Sequence, residues 1–515
     1  MSEMRVSESQ TRTGASLGDF PDWLSPLLVK EFRQGLRGKS FEWTFIALHL
    51  GMLLTVASGL TRQQRGGDAS FVGGFFWALM IVVLVLGVPV RGMMDLAEER
   101  KTRNVELMTA AGVSGVGLAL GKWMSLMTQG LLLVVSLLPY FGMRYFAGGV
   151  DLVADVKVLT LVLLISGVLT AGGLASGGLG GLARLAGGAG TIAFCSMLTA
   201  GWLLSLQFQP AQLAALNRMG WGWLLMIGTA LGAMVVLLRL AGDAIGGVAE
   251  NGAKMSRWVV LGGWGVALTA IARLFKGGRR GVPDEWVVVL FIWVGLTALV
   301  FFWFIGPGRE LRSVHLRRMR GLSRLGRWVE ALFTPHWVGS VWLPLLAFAG
   351  LLVFVDVEGA VKLVRGAVEL RGISGWMGVA NREIEPFVRL LQYLTLLPTG
   401  LVVWRLFSRR VRDGKVAFFL MLVFGGLAAS LFGAVAKLGD GWGSLVLPFI
   451  PPASIWVGAM DGGDEILRTG AWLIASLMAF ALYQGLAIWL AVRWWRRQPA
   501  WRAFLDRERG AGRSS

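Results

Sequence analysis

The sequence predicts an all-α polytopic integral membrane protein with about 12 transmembrane helices. Three observations support this prediction: 55% of the 515 residues are apolar, only 16% are charged, and uncharged stretches of span length recur along the whole chain. A soluble protein would carry roughly a quarter charged residues. About 20 apolar residues in a helix cross the hydrocarbon of a bilayer, and one soluble core could not cover so many such helices.

The predicted spans fall into two six-helix units, 41–257 and 258–492. They are 41–60, 71–90, 123–142, 158–180, 185–206, 220–240, 258–275, 286–305, 337–355, 387–407, 416–436 and 471–492. Residues 443–460 are also apolar, but they are few and contain three prolines. We therefore expect a re-entrant segment there rather than a span.

Basic residues predict how the chain is oriented in the membrane. Lys and Arg cluster at 309–327, 409–415 and the basic tail 493–515, and loops rich in these residues stay on the cytoplasmic side. With an even number of spans, both termini are then cytoplasmic, although this topology places the basic segment 276–281 on the outer side of the membrane. The formal charge of +19 is explained in this way without a nucleic-acid partner.

The composition argues against several kinds of site in this chain. A single cysteine, Cys195, and three scattered histidines predict neither a disulfide nor a metal centre. The Gly-Lys-Ser at 38–40 is not a P-loop, because that motif needs glycine where Arg33 stands. We therefore expect no catalytic residue and no cofactor in this chain.

Residues 1–40 are predicted to be a cytoplasmic N-terminus that contains an amphipathic helix at 22–40. Leucine and phenylalanine recur there at helical spacing, and Lys and Arg take the other faces. We expect this helix to lie in the membrane interface. Farther along, Gly173, Gly177 and Gly181 repeat every fourth position, which favours close packing of helix backbones.

The most charged stretch of the first half, DLAEERKTRNVELMTAAGVS at 95–114, lies in the predicted loop 91–122. Its charges and its small apolar face have helical spacing, with Glu99 four residues before Arg103. Asn104 is expected to start a short helix, and Gly112 and Ser114 to break it and to start the next span. Such a helix is either a docking element for a soluble partner or simply a solvated surface helix.

Residues 98–108, followed by 110–114 and then Gly121-Lys122, resemble the signature of type-2 ATP-binding-cassette (ABC) transporter permeases. Residues 29–33 are also similar to the N-terminal interfacial helix of that family. The resemblance covers residues 22 to about 240 and is weaker in the second half.

This resemblance implies that 95–114 is a coupling helix, which docks on a separate cytosolic ABC ATPase that binds the ATP. The implied docking residues are Glu98, Glu99, Arg100, Glu106, Leu107 and Met108. It also implies a permease of the bacterial inner membrane, more typical of export, that works as a homodimer or with a second permease. Loop 306–336 stands where a second coupling element would lie.

Two other functions remain open from the sequence. Twelve spans with both termini inside also fit an ion-coupled secondary transporter, although His49 and Arg389 are the main ionisable residues within the predicted spans. A membrane-embedded lipid-linked transferase would need acidic residues at a span mouth. The candidates for that role are Asp151, Asp155, Asp461, Asp464 and Glu465.

Overall fold

The structure is a computed structural model. It describes residues 26–64, 70–102, 104–146, 152–178, 222–245, 252–276, 341–354, 384–407 and 470–497, with isolated positions between 292 and 330. These residues form helices and short turns, and there is no strand among them. The all-helical prediction is confirmed for this part of the chain.

The helices follow one another with short connections in the first half. They are α1 (Pro26–Leu36), α2 (Lys39–Gln64), α3 (Ser70–Met80), α4 (Val88–Lys101), α5 (Asn104–Ala110), α6 (Gly115–Ser136), α7 (Leu138–Phe146) and α8 (Leu152–Gly177). The later helices are α9 (Gly222–Ile245), α10 (Gly252–Lys276), α11 (Trp342–Phe354), α12 (Ile384–Phe407) and α13 (Gly470–Arg497).

Among the described residues, six helical stretches are long and apolar enough to cross a membrane. They are Lys39–Gly59, Gly73–Lys101, Gly115–Phe146, Leu152–Gly177, Trp223–Ile245 and Ile474–Trp494. This is the pattern of a multi-pass membrane protein. Helices α10, α11 and α12 also overlap predicted spans, whereas 185–206, 416–436, 443–460 and nearly all of 286–305 and 306–336 lie outside the described residues. The count of twelve stays a prediction.

Helix α2 shows how the apolar surface is distributed. Trp43, Ile46, Leu50 and Leu54 lie on one side of this helix and are between 54% and 69% exposed. The opposite side, which includes Leu48 and Met52, is buried against the other helices. A contiguous apolar face of this size is typical of contact with lipid, since lipid tails are as apolar as the protein core.

Two clusters of buried apolar residues hold the described helices together. One lies between α2, α3, α6, α7 and α8, with Trp77 and Met80 at its centre. The other joins the two halves of the chain, because Leu118 and Ala171 belong to the same cluster as Trp264 and Phe480. The predicted boundary between residues 257 and 258 falls inside α10, because that helix already begins at Gly252.

Close packing of α8 on α4 explains two of the three regularly spaced glycines. A Cβ atom at Gly173 would overlap the Pro89 carbonyl oxygen, and one at Gly177 would lie 2.7 Å from the Met93 carbonyl oxygen. Both positions therefore accept only glycine. The predicted role in backbone packing is confirmed for these two, while Gly181 lies outside the described residues.

Seven residues of π-helix, Ile81–Gly87, join α3 to α4 within the second span. Pro89 lies two residues after Gly87 and has no N–H group, so the carbonyl of Leu84 lacks the donor that a π-helical register would give it. The Val88 amide donates to the Val83 carbonyl oxygen and so does not serve the Leu84 oxygen. The hydroxyl of Ser166 on α8 donates to the Leu84 oxygen over 2.6 Å, in a buried position.

The loop between the second and third spans is shorter than predicted. We expected it at 91–122, but α4 continues to Lys101 and α6 already begins at Gly115. The charged residues 95–101 remain helical because α4 still buries Met93 and Leu96 there, and because Arg91 pairs with Asp95 one turn later.

Candidate functional site

The candidate site is the short helix α5 with the two turns that join it to α4 and α6. Thr102 ends α4: its amide donates to the Glu98 carbonyl oxygen over 2.9 Å, and its hydroxyl donates to the Glu99 carbonyl oxygen over 3.0 Å. Helix α5 then begins at Asn104, as the sequence predicts. The last turn of α4 is thus closed by one residue, Thr102.

The other end of α5 is closed by a Schellman motif. The Gly112 amide donates to the Thr109 carbonyl oxygen over 3.1 Å, and the Val113 amide donates to the Met108 carbonyl oxygen over 3.2 Å. This arrangement needs a residue with positive φ, and Gly112 has φ of 86°. The predicted end of the helix at Gly112 is confirmed, with left-handed backbone as its cause.

Helix α6 starts immediately afterwards with a capping serine. The Ser114 hydroxyl accepts a hydrogen bond from the Gly117 amide over 3.1 Å, as in a typical N-cap. Only Val113 separates this cap from Gly112. The turn from α5 to α6 is therefore short and closed by specific hydrogen bonds on both sides.

Helix α5 has one face in the protein core and one face outside. Val105 is 5% exposed and belongs to the same buried cluster as Leu96 and Leu118. Leu107 is 69% exposed and Ala110 is also exposed. The helix is therefore anchored from inside while it presents a leucine at its outer surface.

The predicted docking residues do not share one environment. Glu98 and Arg100 are exposed near the end of α4, and Leu107 is exposed on α5. Met108 is partly buried and packs against the core, so only part of its side chain is available. Glu106 lies on α5, but its side chain is outside the described residues.

Glu99 is turned inward, where it binds Lys122 of α6. The Lys122 ammonium nitrogen lies 2.6 Å from Glu99 Oε1 and 3.2 Å from Glu31 Oε2 of α1. The lysine side chain is 4% exposed, against 22% for Glu99 and 12% for Glu31. We expected Glu99 to face Arg103, which lies outside the described residues. A buried ammonium needs paired carboxylates, and this requirement explains the observed contact.

The single ammonium group of Lys122 binds two carboxylates. Glu31 Oε1 and Glu99 Oε2 are buried and have no hydrogen-bond partner within the described part of the chain. The cluster formed by Glu31, Glu99 and Lys122 links three helices that are far apart in sequence, and we name it the Lys122 cluster. It joins the N-terminal helix to both helices that hold α5.

Helix α1 lies directly against α6. A Cβ atom at Gly35 would overlap the side-chain amide of Gln129, so the two helices approach closely there. The Arg91 guanidinium of α4 also donates to the Gly35 carbonyl oxygen over 3.3 Å. Within the predicted amphipathic helix 22–40, residues Pro26–Leu36 form α1, and one face of α1 contacts protein; its location in the membrane interface stays a prediction.

Lys122 and Glu31 were not predicted as site residues, although the sequence contained a signal for each. Lys122 belongs to the Gly121-Lys122 pair of the quoted motif and stands beside a long apolar run. Glu31 is the one acidic residue of Pro26–Leu36. Their contact joins positions 91 residues apart, which no local pattern predicts.

Of the acidic residues considered for a transferase, Asp155 is the one described, and it is paired. Its Oδ2 lies 3.1 Å from a guanidinium nitrogen of Arg144, and both side chains are nearly buried. The same guanidinium lies 5.1 Å from the centre of the Phe76 ring. This arrangement stabilises the junction of α7 and α8 and leaves little of the carboxylate accessible to a substrate.

His49 makes interhelical contacts in the first span. Its Nδ1 lies 2.9 Å from the Phe45 carbonyl oxygen and its Nε2 lies 3.4 Å from the Ser136 carbonyl oxygen. The ring stacks on Phe45, with 4.1 Å between ring centres, and contacts Tyr140 edge-on. These contacts fit a side chain that bridges α2 to the junction of α6 and α7.

The described residues contain no group of three or more His, Cys, Asp or Glu side chains arranged to hold a metal ion. Comparison with known proteins gives no relative: no family model, no curated protein and no solved structure matches the chain.

Proposed function

We propose that this chain is the transmembrane subunit of an ABC transporter and that a separate cytosolic ATPase docks on α5. The observation that carries the proposal is the exposure of Leu107 on a short helix whose C-terminal end is closed by a Schellman motif. Burial of a leucine side chain contributes roughly 1.5–3 kcal/mol, so this residue is suited to fill a groove in a partner. Glu98 and Arg100, at the end of α4, would add polar contacts around it.

The Lys122 cluster supports a role for α5 as a lever. If α5 were an isolated flexible loop, a movement of α5 would not be transmitted to the two spans. Instead, Glu99 and Lys122 join α4 to α6 beside α5, and the Val105 side chain of α5 is buried in the core. A force applied to α5 by nucleotide-driven closure would therefore move both spans together. The spans would then alternate between inward and outward access, driven by differential contacts in the two states.

The proposal includes the assembly in which the chain works. ATP is bound by the partner chain, and the permease pairs with a second copy of itself or with a second permease. The complex lies in the bacterial inner membrane with α1, α5 and both termini on the cytoplasmic side. Export is the proposed direction, and loop 306–336 is the place to look for a second docking element.

The test is photo-crosslinking in cells of the source organism, with benzoylphenylalanine in place of Leu107. The expected product is a covalent adduct with a soluble protein whose sequence contains a P-loop. The matched control carries the same group in place of Phe146, which is 87% exposed at the far end of the same apolar helical stretch, Gly115–Phe146. Equal adducts at both positions, or adducts with lipid alone at 107, would contradict the docking role.

A reconstitution assay with the crosslinked ATPase separates docking from folding. Leu107→Glu together with Glu98→Lys should abolish stimulation of ATP hydrolysis by the permease, because both changes lie on the exposed surface. Glu99 is left intact in this variant, so the Lys122 cluster is preserved. Leu107→Met is the control and should keep most of the stimulation. Full stimulation by the charged variant would exclude α5 as the docking element.

One observation favours an ion-coupled transporter as the second candidate. The described helices bury more ionisable groups than the sequence suggested, namely Lys122 with Glu31 and Glu99, and Arg144 with Asp155. Buried carboxylates with unpaired oxygens are found along proton pathways. Transport into vesicles driven by a proton gradient without ATP would support this candidate over the first.

A further inference from the structure

The acidic and basic residues of α1 lie on different sides of the helix. The acidic residue Glu31 faces inward and pairs with Lys122, whereas Lys30, Arg33 and Arg37 are exposed on the side away from α6. Their positions are three, four and seven residues apart, which places them on one face of the helix. Since the inner carboxylate is already matched by Lys122, the outer charges are not neutralised by it.

The start of α2 extends this exposed set. Lys39 is the first residue of α2 and of the first span, and it is exposed. We name Lys30, Arg33, Arg37 and Lys39 the cationic ridge. These four side chains carry four formal positive charges, and the exposed Glu42, also in the first turn of α2, is the acidic residue beside them.

The cationic ridge is continuous with the apolar face of α2. Lys39, Trp43, Ile46 and Leu50 follow one another at helical spacing on the same side, and the last three are more than half exposed. Tryptophan is enriched where hydrocarbon meets headgroups, so Trp43 marks that level. In a bilayer with Trp43 at that level, the cations would lie just outside the hydrocarbon, beside the phosphates.

The end of α13 shows the same order of residues. Leu486 and Trp489 are exposed, the Arg493 guanidinium lies 5.1 Å from the Trp489 ring centre, and Arg496 and Arg497 follow in the last turn. An apolar stripe, a tryptophan and then cations thus occur twice in the described chain. This repetition is expected at a membrane edge rather than at a protein-binding surface.

We propose that the cationic ridge binds the anionic headgroups of phospholipids such as phosphatidylglycerol. Phosphate oxygens are the natural partners of guanidinium and ammonium groups, and a spread row of four cations fits several headgroups better than one small anion. Bound lipid would hold α1 at the membrane surface while Glu31 connects it to the Lys122 cluster. This site does not depend on the identity of the ATPase or on its existence.

The test is a titration of the full-length chain in detergent with phosphatidylglycerol, followed by native mass spectrometry. The variant combines Lys30→Gln, Arg33→Gln, Arg37→Gln and Lys39→Gln. Each cation near an anionic surface strengthens binding about fivefold, so the variant should lose at least about tenfold in apparent affinity. Phosphatidylcholine, which is zwitterionic, should bind both proteins equally weakly.

The charge-conserving control exchanges Lys and Arg at the same four positions and should bind phosphatidylglycerol within about twofold of the wild type. If the Gln variant does not fold, the salt dependence of lipid binding to the wild type still tests the site. Raising the salt from 0.1 M to 1 M shortens the Debye length from about 10 Å to about 3 Å and should weaken binding of the anionic lipid selectively.

Three results would overturn the proposal. The first is unchanged affinity for phosphatidylglycerol in the Gln variant. The second is competition by inorganic phosphate at millimolar concentration, which would indicate a small-anion site. The third is a benzoylphenylalanine adduct from Gln34, which is exposed on the same face, with a soluble protein instead of lipid.

Discussion

The ammonium group of Lys122 lies 2.6 Å from the carboxylate of Glu99, which connects the start of the third span to the end of the second. A second carboxylate, that of Glu31, approaches the same nitrogen from α1. Because of this contact, the charged stretch at 95–114 is fixed to the neighbouring helices and is not simply a solvated loop. The contact also distinguishes Glu99, which is internal, from Glu98, which stays exposed on the same helix.

Replacement of Lys122 by methionine should strongly destabilise the protein. It leaves two carboxylates buried close together without a cation, and loss of one partner of a buried pair costs about 3 kcal/mol or more. The measurement is the free energy of unfolding in a detergent titration. Lys122→Arg should retain most of the stability, and Lys122→Met with Glu31→Gln and Glu99→Gln should recover part of the loss. Equal stability of Lys122→Met and the wild type would show that the cluster contributes nothing.

Gly112→Val should loosen α5 without unfolding the spans. A β-branched side chain at φ of 86° is strained by roughly 1–2 kcal/mol, so the Schellman motif should open more often. Hydrogen exchange of the backbone amides at positions 112 and 113 is expected to be faster by about tenfold than in the wild type. Exchange in α6 beyond its first turn should be unchanged. Gly112→Asn is the milder control, because asparagine tolerates left-handed backbone. The same exchange rate in the valine variant and the wild type would contradict the assignment.

Gly177→Val should separate α8 from α4. Its Cβ atom would lie 2.7 Å from the Met93 carbonyl oxygen, which belongs to backbone and cannot move aside cheaply. Overpacking of this kind costs about 1–3 kcal/mol, measurable as a lower unfolding temperature. Gly172→Ala is the matched control on the same helix, because its nearest neighbour would be 3.9 Å away. A stable Gly177→Val protein would contradict the described contact.

Ser166 and Pro89 should show coupled effects on stability. Ser166→Ala leaves the buried Leu84 carbonyl without a donor, which costs about 1–3 kcal/mol. Pro89→Ala restores an N–H group that can reach this carbonyl from within the helix, so the serine should matter less in that background. A double-mutant cycle measures the difference, expected at about 1 kcal/mol. Strictly additive effects would mean that the proline does not create the need for Ser166.

The sequence was sufficient for the features that depend on local composition and spacing. Apolar runs of span length predicted the six helices among the described residues that are long and apolar enough to cross a membrane, and Gly112 with Ser114 predicted the end of α5 and the start of α6. These features were predictable because hydrocarbon solvation and backbone geometry act on neighbouring residues alone. The extent of α4 was misjudged, since charge suggested a loop where Met93 and Leu96 continue a buried helical face.

The tertiary structure decided which charges are internal. From the sequence, Glu98 and Glu99 are equivalent, but only Glu99 meets Lys122, while Glu98 stays exposed. The structure likewise decided that α1 rests on α6 through Gly35 and that Ser166 completes the hydrogen bonding of the second span. The physical reason is common to all three. Each contact joins residues of different helices, and its energy depends on burial and on distances that only the packed helices define.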